Sequence, residues 1–172
     1  YAKGINRFRA GGKMMFRPMR RFKQAVSEEE CRKILREEWR AAFSVIGDEG
    51  YPYTIPINFY YEESENRIYF HGAKEGHKVS ALEKCDKVCF TVWNQGYKKE
   101  GHWEWYVTSV IIFGRARLVN DRKITEDKLR KLALKYFPTQ EEAEEVLARS
   151  IDKTQIFAID IEHMTGKLVS EK

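Results

Sequence analysis

The chain has no apolar run near the roughly 20 residues that a membrane span needs, and no leader of basic, apolar and small residues opens it. Both absences point to a cytoplasmic protein that does not enter a membrane. Cysteine is scarce: Cys31, Cys85 and Cys89 are odd in number and read as reduced and mostly buried. Cys85 and Cys89 lack both a C-x-x-C spacing and a nearby histidine, which removes the usual zinc and dithiol motifs. The four histidines show no metal-ligand spacing with one another or with Asp and Glu, so no metal site is expected. No G-x-G-x-x-G fingerprint marks a resident dinucleotide fold, and there is neither a repeat nor a low-complexity tract.

The longest stretch without an acidic residue is the first 27 positions. There Lys3, Arg7, Arg9, Lys13, Arg17, Arg20, Arg21 and Lys23 stand alone, leaving 23 basic against 26 acidic residues in the remainder. The net charge of +5 therefore belongs to the N-terminal segment. Interleaved with Phe8, Phe16 and Phe22, that segment can meet nucleic-acid phosphates, but it shows no binding-module pattern. The plainer reading is an arm that is loose or packs on a partner subunit, and nucleic acid is not the expected partner. The chain opens on Tyr1, with Met14, Met15 and Met19 as candidate natural starts. Residues 1–18 are expected to be a basic extension and 19–172 a single domain, large enough to bury a core without staples.

In chain order, Ser27 with Glu30 forms a capping box that predicts a helix ending near Arg40, with Cys31, Ile34, Leu35 and Trp39 on its apolar stripe. A strand over 42–47, a turn at Gly47-Asp48-Glu49-Gly50 and a strand-like run from Tyr51 to Tyr61 follow. Pro52 and Pro56 cannot donate to a ladder, so that run is an edge or bulged strand. Strands are expected at 67–71 and 87–93, with a short helix between. A surface loop fills 94–101, then comes a long strand over 103–119 with a bulge or bend at Gly114. Helices over 125–137 and 139–150, the second capped by Thr139 and Glu142, precede a closing strand that alternates over 155–161 and ends at Thr165-Gly166-Lys167. About six strands with irregularly placed helices predict a mainly β fold, a small antiparallel barrel with peripheral helices.

The stretch Ile68 to Lys78, I-Y-F-H-G-A-K-E-G-H-K, is a strand, a glycine-bearing turn and a helix start. Amides at a helix N-terminus point outward unpaired, so a phosphate can be held there, with Lys74, His77 or Lys78 adding a side-chain donor. Turns of this kind also occur without a ligand, and both readings stand on these residues alone.

Taken in order, Tyr51-Pro52-Tyr53, Ile55-Pro56-Ile57-Asn58, Ile68-Tyr69-Phe70-His71, Gly76-His77-Lys78, the run S-V-I-I-F-G-R-A-R over 109–117 and Thr165-Gly166-Lys167 resemble one family. It is the nitroimidazole-reductase branch of the pyridoxamine-phosphate-oxidase-like flavoproteins, and the likeness covers roughly Met19 to Lys167. The resemblance implies an antiparallel split β-barrel of FMN-binding type, an obligate homodimer with two flavins in the grooves between subunits. It carries flavin contacts to Pro56, Ile57, Asn58, Phe70, His71, Gly72, Ala73, Gly76, His77, Lys78 and Val79, with Lys78 on the phosphate. His77 stands where the family usually has arginine, which leaves FAD as the alternative to FMN. The Asn58 amide would hydrogen-bond the pyrimidine edge, although a polar residue on a strand's solvent face needs no ligand.

By the same resemblance His71 faces flavin and substrate and is the catalytic candidate, orienting or protonating the acceptor. A lone strand histidine is otherwise a structural residue. Trp93, Trp103, Trp105 and Tyr106 read first as core or dimer-interface packing and second as stacking on flavin or substrate. The activity implied is flavin-dependent reduction of small planar acceptors such as nitroaromatics, with a nicotinamide donor bound transiently. The alternatives are a pyridoxamine-phosphate-oxidase-like amine oxidase, or a flavin- or haem-binding module without turnover.

Overall fold

The structure, a computed structural model, describes Arg9–Ala10, Lys13–Met14 and residues 16–171, with side chains over 16–170. Lys3, Arg7 and Phe8 of the basic segment, and the side chains of Arg9 and Lys13, lie outside the described residues. Arg9–Ala10 (β1) and Lys13–Met14 (β2) pair with each other. Helix α1, Glu28–Glu37, starts as expected: the Ser27 hydroxyl accepts from the Glu30 N–H at 3.1 Å. It stops earlier than expected because Glu38 is already extended. Trp39 therefore leaves the helical stripe that buries Cys31, Ile34 and Leu35, is 55% exposed, and packs edge-on against Tyr136 at 5.3 Å.

Strand β3, Arg40–Ile46, pairs with β4, Pro52–Asn58, through a turn in which Glu49 and Gly50 adopt φ of 55° and 74°. Gly50 supplies left-handed geometry as predicted, whereas Gly47 remains at φ −82°. The run Tyr51 to Tyr61 is not one strand. It breaks at Phe59, and β5, Tyr60–Glu62, joins the opposite end of the sheet by pairing with β6, Arg67–Ala73. The sequence hides the break because inward alternation through Tyr53, Ile55, Ile57, Phe59 and Tyr61 continues unbroken. At the break the buried Phe59 N–H donates to the Tyr136 hydroxyl at 3.0 Å, replacing the lost ladder bond.

Helix α2, His77–Lys84, leads to β7, Lys87–Trp93, then the short β8, Tyr97–Lys98, and β9, Trp105–Val119. Helices α3, Arg122–Tyr136, and α4, Gln140–Ser150, are capped by Asp121 and Thr139, which accept from Ile124 and Glu142 N–H groups. Strand β10, Thr154–Glu171, runs four residues past the expected end at Lys167 and pairs with β9 along its length. The sheet is antiparallel in the order β4-β3-β7-β9-β10-β6-β5, with β8 on β9. The fold is a mainly antiparallel β half-barrel with a few helices, as the sequence predicts in outline.

The predicted bulge is displaced. The extra residue is Glu162 on β10, between the pairs Ile161↔Gly114 and His163↔Phe113. Gly114 is glycine because a Cβ there would sit 2.3 Å from the Asp160 carbonyl oxygen, closer than two such atoms can approach. Inside the half-barrel, Phe43, Phe70, Phe90, Ile112, Phe157 and Ile159 are fully buried, each worth about 1.5–3 kcal/mol of transfer free energy. A second core joins the outer side of β6 and β10 to α3 and α4 through Tyr69, Leu129, Leu132, Leu147, Ile156 and Ala158. Trp93, Trp103 and Trp105 belong to neither core and are 49%, 68% and 43% exposed. Their core reading is thus overturned: Trp93 and Trp105 lie on the side of their strands away from the apolar interior, and Trp103 lies in the segment before β9.

Candidate functional site

Strand β6 alternates strictly, sending Ile68 and Phe70 into the half-barrel and Tyr69 and His71 to its outside. Beyond Ala73 the chain turns through Gly76, whose φ of 116° strains any residue with a Cβ, and enters α2. Helices α1, α3 and α4 each have a side-chain N-cap, but α2 has none. The Gly76 carbonyl accepts the N–H groups of Val79 and Ser80 at 2.9 and 3.1 Å. Those of His77 and Lys78 have no acceptor among the described residues. Two aligned, unpaired amides at the positive end of a helix suit an anion.

Lys78 completes this arrangement. Its side chain lies back over the strand, so that a Cβ on Gly72 would meet Cε and Nζ at 2.7 Å. Nζ sits 5.5 Å from the Phe157 ring centroid, and no carboxylate pairs with it among the described residues. Phe157 is held flat against Phe70 at 4.8 Å, a firm floor beneath the ammonium. Crowding by the protein and then the Lys78 charge push the His71 pKa below its ordinary value, although the ring remains solvent-accessible. At neutral pH His71 is an uncharged imidazole, able to donate one N–H and accept at the other nitrogen.

The other residues singled out in the sequence divide by where their side chains go. His77 turns away onto the β3–β4 hairpin, stacking on Tyr53 at 4.1 Å with Nε2 3.4 Å from the Asp48 N–H and 3.5 Å from its carboxylate. Its backbone amide remains at the turn, but its ring fastens α2 to the hairpin, helped by Lys84 on Asp48 at 3.1 Å. Phe70 and Val79 have buried side chains and offer only backbone, while Ala73 and Lys74 are exposed. On β4, Pro56 and Asn58 face outward and Ile57 inward. Strands β4 and β6 approach without a hydrogen-bonded ladder, so the half-barrel is split there. The outward residues Pro56, Asn58 and His71 flank that split. No spacing marks Tyr53, Asp48 and Phe157 as supports, because each reaches the site only through strand pairing.

Elsewhere the pieces are structural. His163 is sandwiched by Phe16 at 4.6 Å, and burial pushes its pKa down. Cys31 is buried, its thiol raised to about 11 by desolvation and then by Glu28 and Glu30, which makes it inert. Cys85 and Cys89 are half-buried free thiols. Among the described residues no three His, Cys, Asp or Glu side chains converge as metal ligands, and no helix is long and apolar enough to cross a membrane. The outer face of β7, β9 and β10 leaves Trp93, Trp105, Ile111 and Phe113 exposed in one sheet surface.

Fold and turn together define a half-barrel consistent with a split-barrel fold, carrying an anion-receptive strand-to-helix turn at its split. The sequence pattern of the pyridoxamine 5'-phosphate oxidase family matches residues 27–168, and the chain belongs to that family. Among solved structures it is similar to a flavocytochrome from Azotobacter vinelandii, at 25% identity and TM-score 0.73 over 90% of this chain and 73% of that one. It is also similar to a proposed 5-nitroimidazole antibiotic resistance protein from Bacteroides thetaiotaomicron, at 19% identity and TM-score 0.72 over 85% and 87%. An FAD-binding protein from Mycobacterium smegmatis matches at 21% identity and TM-score 0.62 over 86% and 99%. No curated protein matches the chain.

Proposed function

We propose that the chain is a flavin-dependent oxidoreductase of the nitroimidazole-reductase branch, reducing nitroaromatic or similar small planar acceptors at a flavin bound in a homodimer groove. The observation that carries the reading is Lys78, an ammonium without a carboxylate partner among the described residues, laid over Gly72 beside two unpaired helix amides. That donor set fits the terminal phosphate of FMN or the pyrophosphate of FAD. Support also comes from family membership and from relatives whose names record FAD binding or nitroimidazole resistance. The exposed apolar face of β7 and β9 suits a second copy of the chain.

The flavin, when bound, supplies two-electron chemistry between a reduced donor such as a nicotinamide and the acceptor. The chain's own residues bind and orient. Lys78 with the amides of His77 and Lys78 holds the phosphate, and Asn58 hydrogen-bonds the ring edge. Pro56 keeps β4 free of an outward N–H there. His71, uncharged at neutral pH, donates its ring N–H to the acceptor.

The test is the absorbance and mass of what co-purifies. We expect a yellow dimer whose flavin is bleached by a reduced nicotinamide and restored by a nitroimidazole. Lys78→Ala should weaken flavin affinity ten- to hundredfold, the equivalent of about 1.5–3 kcal/mol for a charge-assisted contact. Full occupancy in that variant, or a colourless wild-type protein that takes up no added FMN or FAD, refutes the assignment.

A further inference from the structure

Helix α3 carries two internal lysines two turns apart, and their surroundings differ in one respect. Lys128 is buried but answered by carboxylates: Nζ lies 2.5 Å from Glu65 and 3.2 Å from Glu62, and its pKa is raised despite its burial. Lys135 has no carboxylate within ion-pair distance among the described residues. Its Nζ donates to the Glu38 carbonyl at 2.5 Å and sits 4.2 Å from the Phe59 ring centroid and 5.9 Å from that of Tyr136. A carbonyl dipole and ring faces steady an ammonium less than a carboxylate does.

Lys135 also opens onto a cavity of about 330 Å³, lined with it by Arg36, Tyr60, Tyr61, Glu62 and Glu63. The lining charges cancel, and each of the others is committed. Arg36 binds Glu29 and Glu63, while Glu62 binds Lys128 and Lys131. The Tyr61 hydroxyl accepts from Arg32. Lys135 is the one amine facing the cavity, and the lining gives no net pull on an ion.

We propose that Lys135 is a nucleophilic amine that takes up small uncharged aldehydes from this cavity as an imine. The nitrogen lone pair attacks the carbonyl carbon, and the carbinolamine loses its oxygen with both amine protons as water, leaving C=N. No electrons leave or enter. The site lies between α1, β5 and the end of α3, apart from the turn at Lys78. Desolvation lowers the Lys135 pKa to about 8, opposed by the Glu38 carboxylate. The charged or titratable groups around it are Arg36 of α1, Glu38 just past its end, Arg40 of β3, Tyr60, Tyr61 and Glu62 of β5, Glu63 beyond it, and Lys131 and Tyr136 of α3.

The test uses the full chain with propanal and cyanoborohydride, which fixes any imine as a propyl-lysine readable by peptide mass mapping. Near pH 7.5 about a quarter of an amine titrating at 8 is uncharged, against about a thousandth of an ordinary lysine. A less basic nitrogen is also a poorer nucleophile, so we expect Lys135 to be labelled at least about tenfold faster than exposed Lys33 and Lys98, with Lys128 unlabelled. Its rate should level off above about pH 8.5 while those of the exposed lysines still climb. Labelling of Lys135 no faster than Lys33, or a rate that climbs in step with Lys33 to pH 10, overturns the proposal. Lys135→Arg should remove the fast-labelled peptide and leave the slow ones unchanged; fast labelling that persists elsewhere would equally refute it.

Discussion

Glu62 sits where β5 meets α3, with 13% of its side chain exposed. One oxygen accepts from Lys131 at 2.7 Å and Lys128 at 3.2 Å, and the other from the Ser64 hydroxyl at 2.9 Å. The Lys131 hydrogen bond, more than the burial opposing it, pulls the carboxylate from 4.5 to about 2. That drop corresponds to about 3.4 kcal/mol of stability, which water reaching the half-exposed Lys131 trims to about 2–3 kcal/mol. Glu62→Gln keeps the shape and removes the charge, so urea unfolding at pH 7 should show that loss with an unchanged m-value. The pH dependence has a definite sign. The unfolded carboxylate takes a proton near 4.5 and the folded one near 2, so the contribution is whole above 4.5 and is lost as pH falls through 2. The gap between wild type and variant should therefore fall to under half by pH 3. A gap below about 0.5 kcal/mol at pH 7, or one that does not narrow in acid, would refute the reasoning.

Gly114→Ala should cost about 3 kcal/mol or more in chemical denaturation, since the backbone oxygen it meets cannot move without unpairing β9 from β10. Gly50→Ala meets no atom within 4 Å and should cost only the strain of its left-handed φ, about 1–2 kcal/mol. Tyr136→Phe orphans the buried Phe59 N–H, and thermal unfolding should report a loss of about 1–3 kcal/mol; an unchanged midpoint would show that water or a shift replaces the bond. His71→Ala should slow acceptor reduction with flavin still bound, and because the charged ring is the stronger donor, the His71-dependent part of the wild-type rate should rise, not fall, as the pH drops below the ordinary imidazole value of about 6.5. Equal steady-state rates for variant and wild type would remove His71 from catalysis.

What could be read from the chain alone was local. The hydroxyl caps at Ser27 and Thr139, the turn at Gly50 and the strand–turn–helix from Ile68 to Lys78 depend on neighbours within a few residues, and each lies where it was expected. Features set by distant pairing were hidden. Alternation through Phe59 conceals that its two flanks lie at opposite ends of one sheet, and only the Tyr136 hydroxyl, 77 residues away, makes the parting tolerable. The strain at Gly114 is legible as a glycine in a strand, but the surplus residue belongs to the partner strand. Exposed indoles at Trp93 and Trp105 look like core because alternating aromatics read the same whichever face of the sheet they occupy. At the candidate site, the choice of Lys78 and His71 rests on resemblance and turn chemistry, whereas the diversion of His77 onto Tyr53 depends on a hairpin that no spacing reveals.

Strand β10 lies between β6 and β9 over its first half and continues alone beside β9 afterwards. It also follows its partners β6 and β9 in the chain, so a ribosome releases it after them. Until it arrives, the neighbours it will join keep a raw hydrogen-bonding edge each, and the aromatic interior lacks both Phe157 and the wall on that side. Nascent chains of this protein must therefore wait, half assembled, for this strand, and a chaperone that masks strand edges would find its natural client in that interval.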